Sequence, residues 1–140
     1  MSDKTNHLPK IVGFICKWCT SNAADMAGTS RLTYPPSIRS LRVMCSGAVD
    51  SAYVLRALLS GADGVLIGGC HPGDCHYING NYKARRRIAI LETVLTTLDM
   101  NPERVRLEWI SASEGKKFAE VVTDFTDQLS TPENKTDWRA

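Results

Sequence analysis

The sequence predicts an α/β fold, an open parallel sheet of about four strands with helices on its faces, and three observations lead there. Short, partly β-branched apolar runs read as buried strands. Between them lie segments whose apolar residues recur every three or four positions, as on one face of a helix. The two kinds of segment alternate along 140 residues that are 43% hydrophobic, enough for one core and one domain.

The first run, Ile11-Val12-Gly13-Phe14-Ile15, stops at Cys16. One short helix fits residues 18–27, and Thr33-Tyr34-Pro35-Pro36 then breaks regular structure. Leu41-Arg42-Val43-Met44 is the second strand, ending at Cys45, after which Ser46-Gly47 turns the chain into a helix over 51–60. Asp50 is its N-cap and Gly61 its terminator. Residues 64–69 form the third buried strand and run into Cys70-His71-Pro72-Gly73-Asp74-Cys75-His76, where the Pro-Gly pair dictates a tight turn. A long helix over 81–99 directs Ile88, Leu91, Leu95 and Leu98 at the sheet and leaves Arg85, Arg86 and Glu92 on other faces. Residues 105–109 alternate like a half-exposed edge strand, and Phe118, Val121, Val122, Phe125 and Leu129 mark a final amphipathic helix. The domain is expected to fill residues 1–140, with a core over about 9–129 and a loose polar tail at 130–140. Four strand–helix pairs in this order imply right-handed crossovers and a three-layer, Rossmann-like or flavodoxin-like arrangement. No internal repeat is evident.

Seventeen basic and 15 acidic residues leave a net charge of +2, which gives no sign of a nucleic-acid partner. No apolar run approaches the roughly 20 residues that cross a bilayer, and the polar N-terminus does not resemble a signal peptide. A cytoplasmic protein without a membrane partner is expected. An odd count of five cysteines without a signal points to metal or redox chemistry and away from a disulfide framework.

In open parallel sheets the loops beyond the carboxyl ends of the strands converge on the ligand. Cys16, Cys45 and Cys70 each fall at that end of a different expected strand, and Cys75 can fold back across the Pro-Gly turn. Cys19, expected on the first helical turn three residues after Cys16, competes for the same site. Four of these five suffice for a [2Fe-2S] cluster, which needs four thiolates. Gly47, Gly68, Gly69 and Gly73 allow backbone N–H groups near sulfur, and Ser46 offers a hydroxyl. Structural zinc is the main rival, and buried structural cysteines are a third reading. A dithiol oxidoreductase built on Cys16-x-x-Cys19 leaves three cysteines without a task.

His71 and His76 flank the turn as candidate hydrogen-bond partners of sulfur, ligation by histidine being unnecessary with five cysteines present. Asp74 reads as a turn former. Arg85-Arg86-Arg87 reads as a solvated helix face from which one side chain docks a partner or balances the charge of a cluster. Trp18 beside the site fits packing against a cluster or an interface, and core packing equally well. No glycine-rich phosphate loop follows the first strand.

Cys-Lys-Trp-Cys at 16–19, Ala-Ala-Asp at 23–25, Arg-Val-Met-Cys-Ser-Gly at 42–47, Gly-Gly-Cys-His-Pro-Gly-Asp-Cys-His-Tyr at 68–77 and Trp-Ile-Ser-Ala-Ser-Glu-Gly at 109–115 together resemble the delta subunit of methyl-viologen-reducing [NiFe]-hydrogenase of methanogenic archaea. The turn at 68–77 is highly specific, whereas Cys-x-x-Cys alone is weak. The resemblance spans residues 9 to about 129 and implies a [2Fe-2S] electron-transfer subunit without catalysis of its own. Its implied partners are the small subunit of a [NiFe]-hydrogenase, or a formate dehydrogenase, and the flavin and iron–sulfur subunit of heterodisulfide reductase in an electron-bifurcating complex of methanogenesis. It carries the cluster-binding role onto Cys16, Cys19, Cys45, Cys70 and Cys75 without saying which is spare.

Overall fold

A computed structural model describes residues 9–71, 73, 75 and 79–130. Four strands, β1 (Ile11–Cys16), β2 (Ile38–Val43), β3 (Gly64–Gly69) and β4 (Val105–Trp109), form one all-parallel sheet in the order β2-β1-β3-β4. Four helices alternate with them: α1 (Thr20–Thr29), α2 (Ser51–Leu59), α3 (Gly80–Thr97) and α4 (Gly115–Leu129). The strand order reverses between β1 and β3, which makes their carboxyl ends the switch point where ligands of such sheets bind.

Because successive side chains of a strand point to opposite faces, β1 and β3 feed two cores. Ile11, Ile15 and Leu66 pack under α1 and α4 with Ala23, Phe118, Val122 and Phe125. Phe14, Val65 and Ile67 pack under α2 and α3 with Val54, Leu58, Ile88, Leu91 and Leu95. Every residue of β3 is buried, as the apolar run over 64–69 predicts for a strand covered on both faces. The three-layer expectation holds.

Element ends follow local chemistry. Asp50 caps α2 by accepting a hydrogen bond from the N–H of Ala52 at 3.0 Å. Gly61, at a φ of 118°, ends it, with Gly61 N–H donating to Leu58 O and Ala62 N–H to Ala57 O. The same paired bonds end α1 at Arg31 and α3 at Asp99, both left-handed without being glycine.

Three boundaries differ from the sequence expectation. β2 starts at Ile38, three residues early, because it is an edge strand whose exposed Arg39, Ser40 and Arg42 carry no apolar pattern. Helix α1 starts at Thr20, so Cys19 is its N-cap residue and not part of its first turn. Leu98 does not face the sheet: it is the C-cap of α3 and exposed, and the chain reverses at Asp99 to bury Met100 in its place.

Candidate metal centre

β1 ends on Cys16 and β3 hands directly over to Cys70, so two adjacent parallel strands deliver two thiols to the switch point. Register between these strands fixes their backbones, and on the other edge of β1 Lys17 N–H continues the β1–β2 ladder to Val43 O at 2.8 Å. Cys45 follows β2 by two residues and opens a short 3-10 turn, Ser46–Ala48. Cys75 returns from the turn after β3, where Gly73 has a φ of 92°. All five cysteines are free thiols and four are buried, Cys75 being half-buried.

The sulfurs divide into two groups. Cys16, Cys19 and Cys70 lie within 4.8 Å of one another, the only three-residue cluster of that kind among the described residues. Cys16 Sγ is 3.8 Å and Cys19 Sγ 2.8 Å from Cys70 Sγ. Cys45 and Cys75 form a separate pair 3.7 Å apart. One tetrahedral ion with four sulfurs places all of them at about 3.8 Å from each other, given metal–sulfur bonds of about 2.3 Å. No four sulfurs among the described residues lie mutually within 4.8 Å, so the five thiols do not form one tetrahedral four-sulfur group.

The wall beside the pair makes room for the two sulfurs themselves. Gly80, the first residue of α3, has no Cβ, and one placed there would overlap Cys45 Sγ and stand 3.3 Å from Cys75 Sγ. Gly47 N–H donates to Cys45 Sγ at 3.4 Å, as a donor that stabilises negative sulfur does. Gly68 and Gly69 act differently from expectation: inside β3, a Cβ on Gly68 would overlap Thr20, and one on Gly69 would meet Ser46 Oγ at 2.7 Å. They admit neighbouring side chains and so draw α1 and the Cys45 turn against the sheet.

The thiols perturb one another. Hydrogen bonding from Cys19 pulls the Cys16 thiol down to about 6, backbone donors at Trp18 and Cys19 add to this, and burial opposes it. The same contact, with burial, pushes the Cys19 thiol up. Burial also raises Cys45. Of the trio, Cys16 is the thiol drawn toward the thiolate, which is the form that binds metal.

Ser46 is buried against Gly69, and among the described residues its hydroxyl makes no hydrogen bond to a cysteine. His71 pairs through Nε2 with Glu114, whose carboxylate also accepts the Ser111 N–H at 2.9 Å. Ser111 first and His71 second hold the Glu114 carboxyl down to about 2. His76 and Asp74 lie outside the described residues. Trp18 is exposed, with Lys17 over its ring. Of the arginine run, Arg86 is exposed, Arg85 lies over the Tyr82 ring, and Arg87 turns inward.

Sequence reasoning misses Asn81, Gly80 and Glu114. Asn81 is fully buried and its amide nitrogen donates to Cys70 O and His71 O, fixing the exit from β3, while its Oδ1 has no partner among the described residues. The usable signal was the polar Asn-Gly-Asn stretch at the start of an otherwise amphipathic helix.

Relatives of known family place the site in context. The family model described as "Methyl-viologen-reducing hydrogenase, delta subunit" matches residues 11–131. An F420-non-reducing hydrogenase iron-sulfur subunit of Archaeoglobus profundus is 60% identical over 117 residues, covering 84% of this chain and 85% of the relative. The F420-non-reducing hydrogenase vhc iron-sulfur subunit of Methanococcus voltae is 56% identical over 124 residues, covering 89% and 86%. A different context appears in Methanosarcina mazei, where 121 residues are 44% identical to part of a ferredoxin:CoB-CoM heterodisulfide reductase subunit, covering 86% of this chain and 15% of that much longer protein.

Proposed function

Since the chain belongs to the methyl-viologen-reducing hydrogenase delta-subunit family, we propose that it is a non-catalytic electron-transfer subunit of a hydrogenase-type oxidoreductase. Four of Cys16, Cys19, Cys45, Cys70 and Cys75 hold a [2Fe-2S] cluster. The observation that carries this reading is the partition of the five sulfurs into a pair and a trio. The cluster supplies a one-electron carrier, and this chain's residues bind it, shield it and present it at the sheet edge. Cys45 and Cys75 hold one iron, and two of Cys16, Cys19 and Cys70 hold the other.

The partners are the small subunit of a [NiFe]-hydrogenase, or a formate dehydrogenase in its place, and the flavin-bearing subunit of heterodisulfide reductase. The similar segment within the longer heterodisulfide reductase proteins of two Methanosarcina species supports the second partner. Trp18, Leu41 and Met44 leave apolar surface exposed beside Cys16 and Cys45, where a partner shortens the path for the electron. The complex is cytoplasmic in this reading; no helix among the described residues is long and apolar enough to cross a membrane.

The dithiol oxidoreductase reading has one supporting feature, the lowered Cys16 thiol. Against it, Cys16 is only 1% exposed, so a substrate disulfide cannot approach the sulfur in line. The test is reconstitution. Reduced hydrogenase small and large subunits, this chain and the flavin-bearing protein are mixed under anaerobic conditions, and flavin reduction is followed by its absorbance. Hydrogen-dependent flavin reduction that requires this chain supports the relay. The same rate without it, or with a cysteine-free variant, contradicts it.

A further inference from the structure

We propose that Gly47, Gly80 and Arg87 form a clamp that fixes the Cys45–Cys75 half of the centre and sets the reduction potential of the group held there. This rests on the iron–sulfur reading of the five cysteines. Arg87 lies on the long helix α3, and a single guanidinium nitrogen, Nη1, donates to the carbonyls of Gly47 at 2.7 Å and Val49 at 2.6 Å. Among the described residues no carboxylate pairs with it. Two carbonyls thus take the bonds that surface arginines usually give to acids or water, and the 3-10 turn after Cys45 is tied to the helix.

The tie brings backbone against backbone. A Cβ on Gly47 would stand 2.7 Å from Gly80 O and 2.9 Å from Gly80 Cα, so no other residue lets the turn lie so close to the first turn of α3. Gly80 in turn has its Cα face against Cys45 Sγ. With the turn drawn in by its carbonyls, the Gly47 N–H remains directed at Cys45 Sγ, 3.4 Å away. The sulfur pair therefore faces this N–H and the N-terminal end of an 18-residue helix, whose first N–H groups lack partners within the helix and carry partial positive charge. Hydrogen bonds and positive charge at sulfur favour the reduced, more negative state of a cluster, and so raise its potential. Arg87 acts here as a positioning residue, through the turn, and not as a ligand.

The test uses the whole chain purified anaerobically, with iron and sulfide content measured beside a potentiometric titration followed by electron paramagnetic resonance. Arg87→Met is expected to keep most of its iron while its reduced-to-oxidised ratio at a fixed poise falls about tenfold, equivalent to about 59 mV for a one-electron couple. Arg87→Lys, which retains one cationic donor, is expected to shift by less. Arg86→Met, on the solvent side of the same helix, is expected to match the wild type. Gly80→Ala is expected to lose most of its iron. A wild-type potential in Arg87→Met, an equal shift in Arg86→Met, or full iron content in Gly80→Ala would overturn the clamp. Should Arg87→Met fail to fold, a wild-type potential in Arg87→Lys together with full iron in Gly80→Ala overturns it equally. A wild-type chain without iron would overturn the iron–sulfur reading itself.

Discussion

Replacing Cys19 and Cys16 singly by alanine separates a ligand from a neighbour. Two thiolates on one tetrahedral metal sit about 3.8 Å apart when each bond is about 2.3 Å, and a well-formed site holds its distances within about 0.2 Å. The Cys16–Cys70 separation of 3.8 Å and the Cys45–Cys75 separation of 3.7 Å meet this requirement without movement. Cys19 Sγ, 2.8 Å from Cys70 Sγ, lies about 1 Å inside it. Cys16 is also the better anchored of the two, since it closes β1 in register with Val43, whereas Cys19 stands between strand and helix as the N-cap residue of α1. The expected result is that Cys19→Ala retains iron, sulfide and the visible spectrum, while Cys16→Ala, Cys45→Ala, Cys70→Ala and Cys75→Ala lose most of them. The assay is iron and sulfide per chain after anaerobic purification. A bleached Cys19→Ala beside an intact Cys16→Ala would refute the assignment, and retention in both would refute the four-sulfur arrangement.

Three further outcomes follow from particular contacts. Gly68→Ala places a methyl group against Thr20 at the start of α1, so it is expected to lower iron content by displacing Cys19 and Cys16 from Cys70, measured beside the wild type. Asp50→Ala removes the N-cap of α2 and is expected to cost about 1 kcal/mol in chemical denaturation, with the cluster spectrum unchanged in the native baseline. Glu114 has a depressed carboxyl, so its contribution to stability is present above about 4.5 and is lost as pH falls through about 2. Glu114→Gln is therefore expected to flatten the acid limb of stability across that window, followed by far-ultraviolet circular dichroism; an unchanged limb would show that the Ser111 and His71 contacts do not hold the folded state.

The sheet and the cysteine edge were legible because both are written in local residue order. A run such as Val65-Leu66-Ile67 is buried on both faces wherever it sits in the sheet, and a cysteine after such a run arrives at the carboxyl edge. Where tertiary position decides, the reading failed. β2 gains its strand identity from pairing with β1, since its own side chains are mostly exposed. Arg31 and Asp99 end helices without the glycine that advertises such an end, and Leu98 kept the helical spacing one turn past the last buried position. The division of the sulfurs into pair and trio, and the approach of Gly80 and Arg87 to the Cys45 turn, depend on how α3 crosses the sheet edge. Glu114 comes from the far side of β4, 43 residues beyond His71, so no local motif announces it.

The binuclear iron–sulfur cluster proposed for this chain stands or falls on its metal content. Anaerobic purification followed by iron, sulfide and zinc analysis, with an electron paramagnetic resonance spectrum of the reduced protein, tests it most directly. Two irons and two sulfides per chain with a half-integer-spin signal on reduction are expected. Stoichiometric zinc without sulfide and without a signal would rule out the cluster and leave a zinc-stabilised adaptor.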